Sequence, residues 1–232
     1  KINMNKQYLI CTSLLENPSK HCATIAVSES IIKDENGVSL GNPDASSRNG
    51  TLTFVKSEGK VFGITCWHVI EYLRRQIELT GDPYSHSFYT MPVRPYIVID
   101  SFIRPQSLTE YHQLDVGIRQ VKSDFVAAIG KTPLEIDNML VPDSIEFGWA
   151  VGFPEGLKYE KEQLIENKAQ VVSLPTVSIL AEIDETPSGK FMLYSEFENT
   201  DHHKSYSGMS GGPIFWSHQD IYGIFGITYE AS

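Results

Sequence analysis

Gly208-Met209-Ser210-Gly211-Gly212-Pro213 stands close to the end of the chain. Two glycines follow the serine and one stands two residues before it. The backbone can therefore turn sharply enough for the serine hydroxyl and the neighbouring amide hydrogens to face one substrate carbonyl. Such a run suits a nucleophile loop. Glycine-serine clusters are also ordinary turn material, so the run takes its meaning from what else the chain supplies.

A serine hydroxyl is a poor nucleophile near neutral pH. A catalytic one needs a base in hydrogen-bond reach and a carboxylate to orient that base. Thr65-Cys66-Trp67-His68-Val69 ends an apolar strand-like run, Val61 to Cys66, and opens a helix-like stretch, Val69 to Leu79. Leu114-Asp115-Val116-Gly117-Ile118 places one acid inside another apolar strand, where an unpaired carboxylate would be costly to bury. The order along the chain is His68, Asp115, Ser210, that of chymotrypsin-type enzymes and not of subtilisins or α/β-hydrolases. An α/β-hydrolase esterase is excluded also by the scarcity of alternating helices.

On these residues the chain resembles the trypsin-like (chymotrypsin-fold) serine peptidases, with support from Gly50-Thr51-Leu52-Thr53-Phe54 and Gly152-Phe153-Pro154. The resemblance runs from about residue 20 to the end. It implies His68 as general base, Asp115 as its orienter, Ser210 as nucleophile, and the amides of Gly208 and Ser210 as the oxyanion hole. It also implies that Lys204, six residues before the nucleophile, lies at the base of the P1 pocket, where a cation would favour an acidic or polar side chain. Thr228-Tyr229-Glu230 aligns with the strand that pairs with the substrate backbone. The activity implied is that of a serine endopeptidase acting on a protein or peptide substrate, with no metal or organic cofactor.

One departure from the family pattern has a consequence. Zymogen-activated trypsins carry an Asp before the nucleophile, which accepts a salt bridge from a newly cut amino terminus; here that residue is Met209, and a thioether cannot hold an ammonium group. No Ile-Val-Gly-Gly type terminus is present either, and the Deg/HtrA group is similar in lacking both. Activation by cleavage near residue 20 is therefore not expected.

Alternation of apolar and polar residues, rather than helical periodicity, runs through most of the chain. Strands are expected over 21–32, 51–57, 60–66, 96–103, 114–121, 145–152, 169–174, 176–183, 191–198, 212–216 and 221–229. Ser57-Glu58-Gly59-Lys60 and Glu185 to Gly189 read as hairpin turns. The fold class expected is all-β, with two six-stranded-type antiparallel β-barrels. An N-terminal extension takes 1–19, the first barrel 20–121, a linker 122–143 and the second barrel 144–232. The residues after Ser210 suffice for one hairpin, so the second barrel is expected to lack its closing strands. The chain then reads as one domain of a larger protein with fused or associated regulatory domains, an arrangement found in bacterial signalling and defence proteins.

Composition sets outer limits. With 232 residues, 41% of them hydrophobic, the chain can bury one large core or two adjoining ones. A net charge of −10 and no dense Lys/Arg run argue against binding nucleic acid through its phosphates. No apolar stretch is long enough to span a bilayer, so no membrane partner is expected. Three cysteines, Cys11, Cys22 and Cys66, cannot all pair within the chain, which points to a reducing, cytoplasmic setting. Their spacings fit no zinc-ligand pair, and His202-His203 has no cysteine nearby. The competing class is a catalytically silent protease-fold module that binds a peptide, because triad residues can persist beside a collapsed oxyanion loop.

Overall fold

The structure is a computed structural model and describes residues 11–26, 30–33, 39–42, 49–80, 101–106, 114–142, 145–157, 159–161, 171–173, 175–185, 191–194, 206–218 and 221–229. In chain order the strands are β1 (Cys22–Ala26), β2 (Ser30–Lys33), β3 (Ser39–Asn42), β4 (Asn49–Ser57), β5 (Lys60–Thr65), β6 (Gly117–Val121), β7 (Leu134–Glu135), β8 (Phe147–Gly152), β9 (Tyr159–Lys161), β10 (Val171–Ser173), β11 (Val177–Glu185), β12 (Phe191–Tyr194), β13 (Pro213–His218) and β14 (Ile221–Ile227). Among the described residues three α-helices accompany them: α1 (Thr12–Glu16), α2 (Trp67–Thr80) and α3 (Ser123–Ala128). The chain is mostly β with few helices.

Two five-stranded sheets organise the molecule. The first runs β1-β4-β5-β6, with β7 added in parallel to β4; the second runs β12-β11-β8-β13-β14. Two barrels were expected, but among the described residues each sheet stays open and no barrel closes. The stretch 122–143, read as a linker, carries α3 and β7, and so returns to the first sheet before the chain crosses to the second.

Local chemistry accounts for the joints. Ser57 pairs with Lys60 across a two-residue turn in which Glu58 (φ 49°) and Gly59 (φ 72°) are both left-handed, as such a hairpin turn requires. Asp137 holds this turn by accepting from the Ser57 hydroxyl and the Glu58 amide. The turn at Glu185 to Gly189 lies mostly outside the described residues, but β11 and β12 pair on either side of it.

The first core lies between β1, β4, β5 and the helices α2 and α3: Leu52, Phe54, Val61, Ile70, Leu73 and Val126 are buried in it. The second gathers Cys11 and Leu14 around α1 with Cys22, Trp149, Val151, Phe153 and Phe215. Residues 11–16 thus pack onto the second sheet, where the Cys11 amide also donates to Ser217 Oγ at 2.8 Å. His21 joins three parts of the chain. Its Nδ1 lies 2.6 Å from the Thr132 carbonyl, to which it donates, and its Nε2 lies 2.7 Å from the Tyr222 hydroxyl, which can donate to a neutral ring or accept from a charged one. Burial pushes its pKa down to about 4.

Candidate active site

β5 delivers His68. The strand ends at Thr65, Cys66 is buried, and α2 starts at Trp67, so the imidazole sits in the first turn of a helix. Helix N-termini leave amides without intrahelical partners. Asp115, just before β6, supplies two: its carbonyl accepts from the Trp67 amide at 3.3 Å and its Oδ1 from the His68 amide at 2.9 Å. The remaining oxygen, Oδ2, lies 2.6 Å from His68 Nδ1. One carboxylate therefore caps the helix and orients the ring riding on it. Partial burial pushes the Asp115 pKa up. The hydrogen bonds from the His68 ring and amide, with the nearby charges of His68 and Arg104, outweigh this and hold the carboxyl below the usual carboxylate range.

Trp67 packs against the first core, and the guanidinium carbons of Arg74 and Arg104 stand 4.9 and 5.6 Å from its ring centroid. Arg104 Nε also donates to the Leu114 carbonyl at 2.7 Å, which ties it to the residue before Asp115.

The loop 207–211 connects into β13 and carries Ser210. Gly208 (φ 97°) and Gly211 (φ 90°) are left-handed there, and a side chain on Gly208 would run into the Phe153 carbonyl and Asn49 Nδ2. Successive peptide units are held in different ways. The Ser207 carbonyl accepts from the Glu155 amide at 2.6 Å and the Met209 carbonyl from the Gly212 amide at 2.8 Å. A trans peptide points its N–H opposite to its C=O, so these anchored carbonyls turn the amides of Gly208 and Ser210 the other way. Among the described residues neither amide donates to an acceptor. By contrast the Met209 amide donates to the Tyr206 carbonyl and the Gly211 amide to the Thr228 carbonyl.

Met209 itself is 1% exposed and lies in a small core with Ala150 and Ile214. This loop is therefore anchored by apolar burial.

The structure brings His68 and Asp115 into direct contact. The Ser210 hydroxyl donates instead to the Tyr229 carbonyl at 3.2 Å. The two halves of the site meet at Thr228: its carbonyl accepts from the Gly211 amide at 2.6 Å and from the Cys66 thiol at 3.2 Å, and its own amide donates to the Gly212 carbonyl at 2.7 Å. Thr228 is buried and Tyr229 exposed. Lys204 and Glu230, also expected at the site, lie outside the described residues, as do His202 and His203.

Cys66 Sγ, a ring nitrogen of His68 and a carboxylate oxygen of Asp115 fall within 4.8 Å of one another. As metal ligands they fit poorly. Burial pushes the Cys66 thiol well above its usual range, the nearby Asp115 charge adds to this, and its proton is committed to Thr228.

Three residues to which the sequence assigned no role at the site also build it. Asn49 donates from Nδ2 to the Phe153 carbonyl and from its amide to Glu155 Oε1; Thr51 and Thr53 donate to the carbonyls of Gly208 and Gly211. The only local signal for the threonines is their alternation with Leu52 and Phe54, which by itself reads as a strand with one solvated face.

No protein-family model matches the chain, and no curated protein matches it. Among solved structures the chain is similar to the crystal structure of a thermostable serine protease, AL20, from an extremophilic microorganism. The identity is 12%, 93% of this chain and 87% of that chain are covered, and the TM-score is 0.45. A likeness that weak carries no chemistry across to this chain.

Proposed function

We propose that the protein is a serine endopeptidase of the trypsin-like, two-barrel type, with His68 as general base, Asp115 as its orienter and Ser210 as nucleophile. The first sheet carries the base and its partner, the second carries the nucleophile, and an extended peptide lies between them along Thr228 to Glu230. His68 Nδ1 is engaged by Asp115, which leaves Nε2 for the Ser210 proton once the hydroxyl leaves the Tyr229 carbonyl. The alkoxide character so developed attacks the scissile carbonyl. The amides of Gly208 and Ser210 stabilise the resulting oxyanion, His68 returns the proton to the leaving amine, and water releases the acyl group by the reverse sequence.

The observation that carries this reading is that the amides of Gly208 and Ser210 meet no acceptor among the described residues, because free oxyanion donors separate an acyl-transfer site from an ordinary glycine-rich turn. A fluorophosphonate probe tests it. Labelling is expected in the parent chain and lost in Ser210→Ala, with a drop of about a thousand-fold or more in His68→Ala. A Ser210→Ala chain that still labels and cleaves like the parent ends the proposal.

A second reading is favoured by the bond from Ser210 Oγ to Tyr229: a protease-fold module that binds a peptide without cleaving it. In that case the folded parent does not label while Ser210→Ala and the parent bind the same peptide equally. For either reading we propose a cytoplasmic setting and a protein or peptide partner.

A further inference from the structure

The inner face of β4 is unusual for its residues. A strand written Thr51-Leu52-Thr53-Phe54 should bury one face and wet the other, and Leu52 and Phe54 do enter the first core. Yet Thr51 is 0% and Thr53 1% exposed. Buried hydroxyls need partners, and both find theirs across the molecule in the nucleophile loop.

We propose that Thr51 and Thr53 are positioning residues that hold the Ser210 loop and set the Ser210 oxyanion amide, an inference that rests on the serine peptidase reading. Thr53 Oγ1 donates to the Gly211 carbonyl at 2.7 Å. That carbonyl belongs to the peptide unit whose N–H, on Gly212, anchors the Met209 carbonyl, and the Met209 carbonyl in turn directs the Ser210 amide. Thr51 holds the loop at its other end. Its hydroxyl donates to the Gly208 carbonyl at 2.9 Å, its amide donates to the Ser210 carbonyl at 2.9 Å, and its hydroxyl accepts from the Phe153 amide at 3.3 Å. Thr65 completes the arrangement by donating to the Thr51 carbonyl at 2.7 Å, so the strand that leads to His68 braces the strand that grips Ser210. The orientation of the Ser210 amide is thereby set from the first sheet, although that donor lies in the loop leading into β13 of the second, while the Gly208 amide is directed by the Glu155 contact to the Ser207 carbonyl.

Valine is nearly the shape of threonine without its hydroxyl, and serine keeps the hydroxyl without the methyl. The test compares Thr51→Val/Thr53→Val with Thr51→Ser/Thr53→Ser in the full chain. Hydrogen exchange is followed over residues 206–212, and fluorophosphonate labelling is timed in parallel. With valine, exchange at Met209, Gly211 and Gly212 is expected to rise about ten-fold or more, and labelling to slow by about ten- to a hundred-fold. Serine is expected to restore both to within about three-fold of the parent. Folded valine variants with parental exchange and parental labelling overturn the proposal; so does a serine pair that behaves like the valine pair. If the parent never labels but exchange responds to valine and recovers with serine, the threonines still orient the loop and it is the peptidase reading that falls. Should the double valine chain not fold, Thr53→Val alone, which keeps every bond made by Thr51, is read in the same way.

Discussion

The backbone of Gly152 runs directly under Met209: a Cβ at position 152 would stand 3.0 Å from Met209 Cα and 3.1 Å from both its Cβ and its Cγ. The end of β8 and the residue before Ser210 are thus in contact with no room for a side chain between them. Gly152→Val must push Met209 and the loop away, at a cost of about 1–3 kcal/mol. The expected outcome is a lower midpoint in urea unfolding together with labelling slowed by about ten-fold or more. Labelling at the parental rate in a folded Gly152→Val chain would show that the loop tolerates displacement.

Apolar anchoring of Met209 removes the reason for activation by a new amino terminus. Cleavage at an engineered site near residue 20 should leave the labelling rate within about two-fold of the intact chain or lower it. Lowering is the expected direction, since the cut separates the buried Leu14 and Cys11 from β1. A sharp rise in turnover on cutting would be incompatible with Met209 as the loop's anchor.

Asp115 accepts one bond from the His68 ring and one from the His68 amide. In Asp115→Asn the amide group can still accept one of these, so the helix start is retained, but the imidazole loses the partner that fixes its tautomer and stabilises its charged form. A fall of about a thousand- to ten-thousand-fold in kcat is expected, with little change in thermal midpoint. A fall of less than about ten-fold would remove Asp115 from the mechanism.

His21 ties stability to pH. Its folded pKa of about 4 lies below the ordinary value of 6.5, so between these values the unfolded chain binds more protons than the folded one. The stability attached to the neutral ring is full above pH 6.5 and is lost as pH falls towards 4. Over that window the loss amounts to at most about 3 kcal/mol. Urea midpoints taken across the window should fall more steeply for the parent than for His21→Gln. Parallel slopes would mean that the ring is not held neutral between Thr132 and Tyr222.

Much of the scaffold was legible locally. Alternation placed β4, β5, β8, β13 and β14 to within a few residues, the Glu58-Gly59 turn followed from its residue types, and the helix expected over Val69 to Leu79 is α2, Trp67–Thr80. The earlier start of α2 has a nonlocal cause: Asp115, just before the neighbouring strand β6, caps it. For the same reason β7, within 122–143, has no local signature: it is only two residues long and exists by pairing with β4.

The sequence by itself determined which chemistry is available: an imidazole after an apolar strand, an acid before another, and a serine among glycines, in one order along the chain. Only the tertiary structure decided that Asp115 and His68 share two hydrogen bonds, that Thr51 and Thr53 are buried against the loop that carries Ser210, and that the Ser210 hydroxyl rests on Tyr229. Periodicity records which residues prefer to leave water, and that is a local property. Which carbonyl a given hydroxyl or amide meets is set by how two sheets pack, and the threonine contacts join residues separated by 157 and 158 positions.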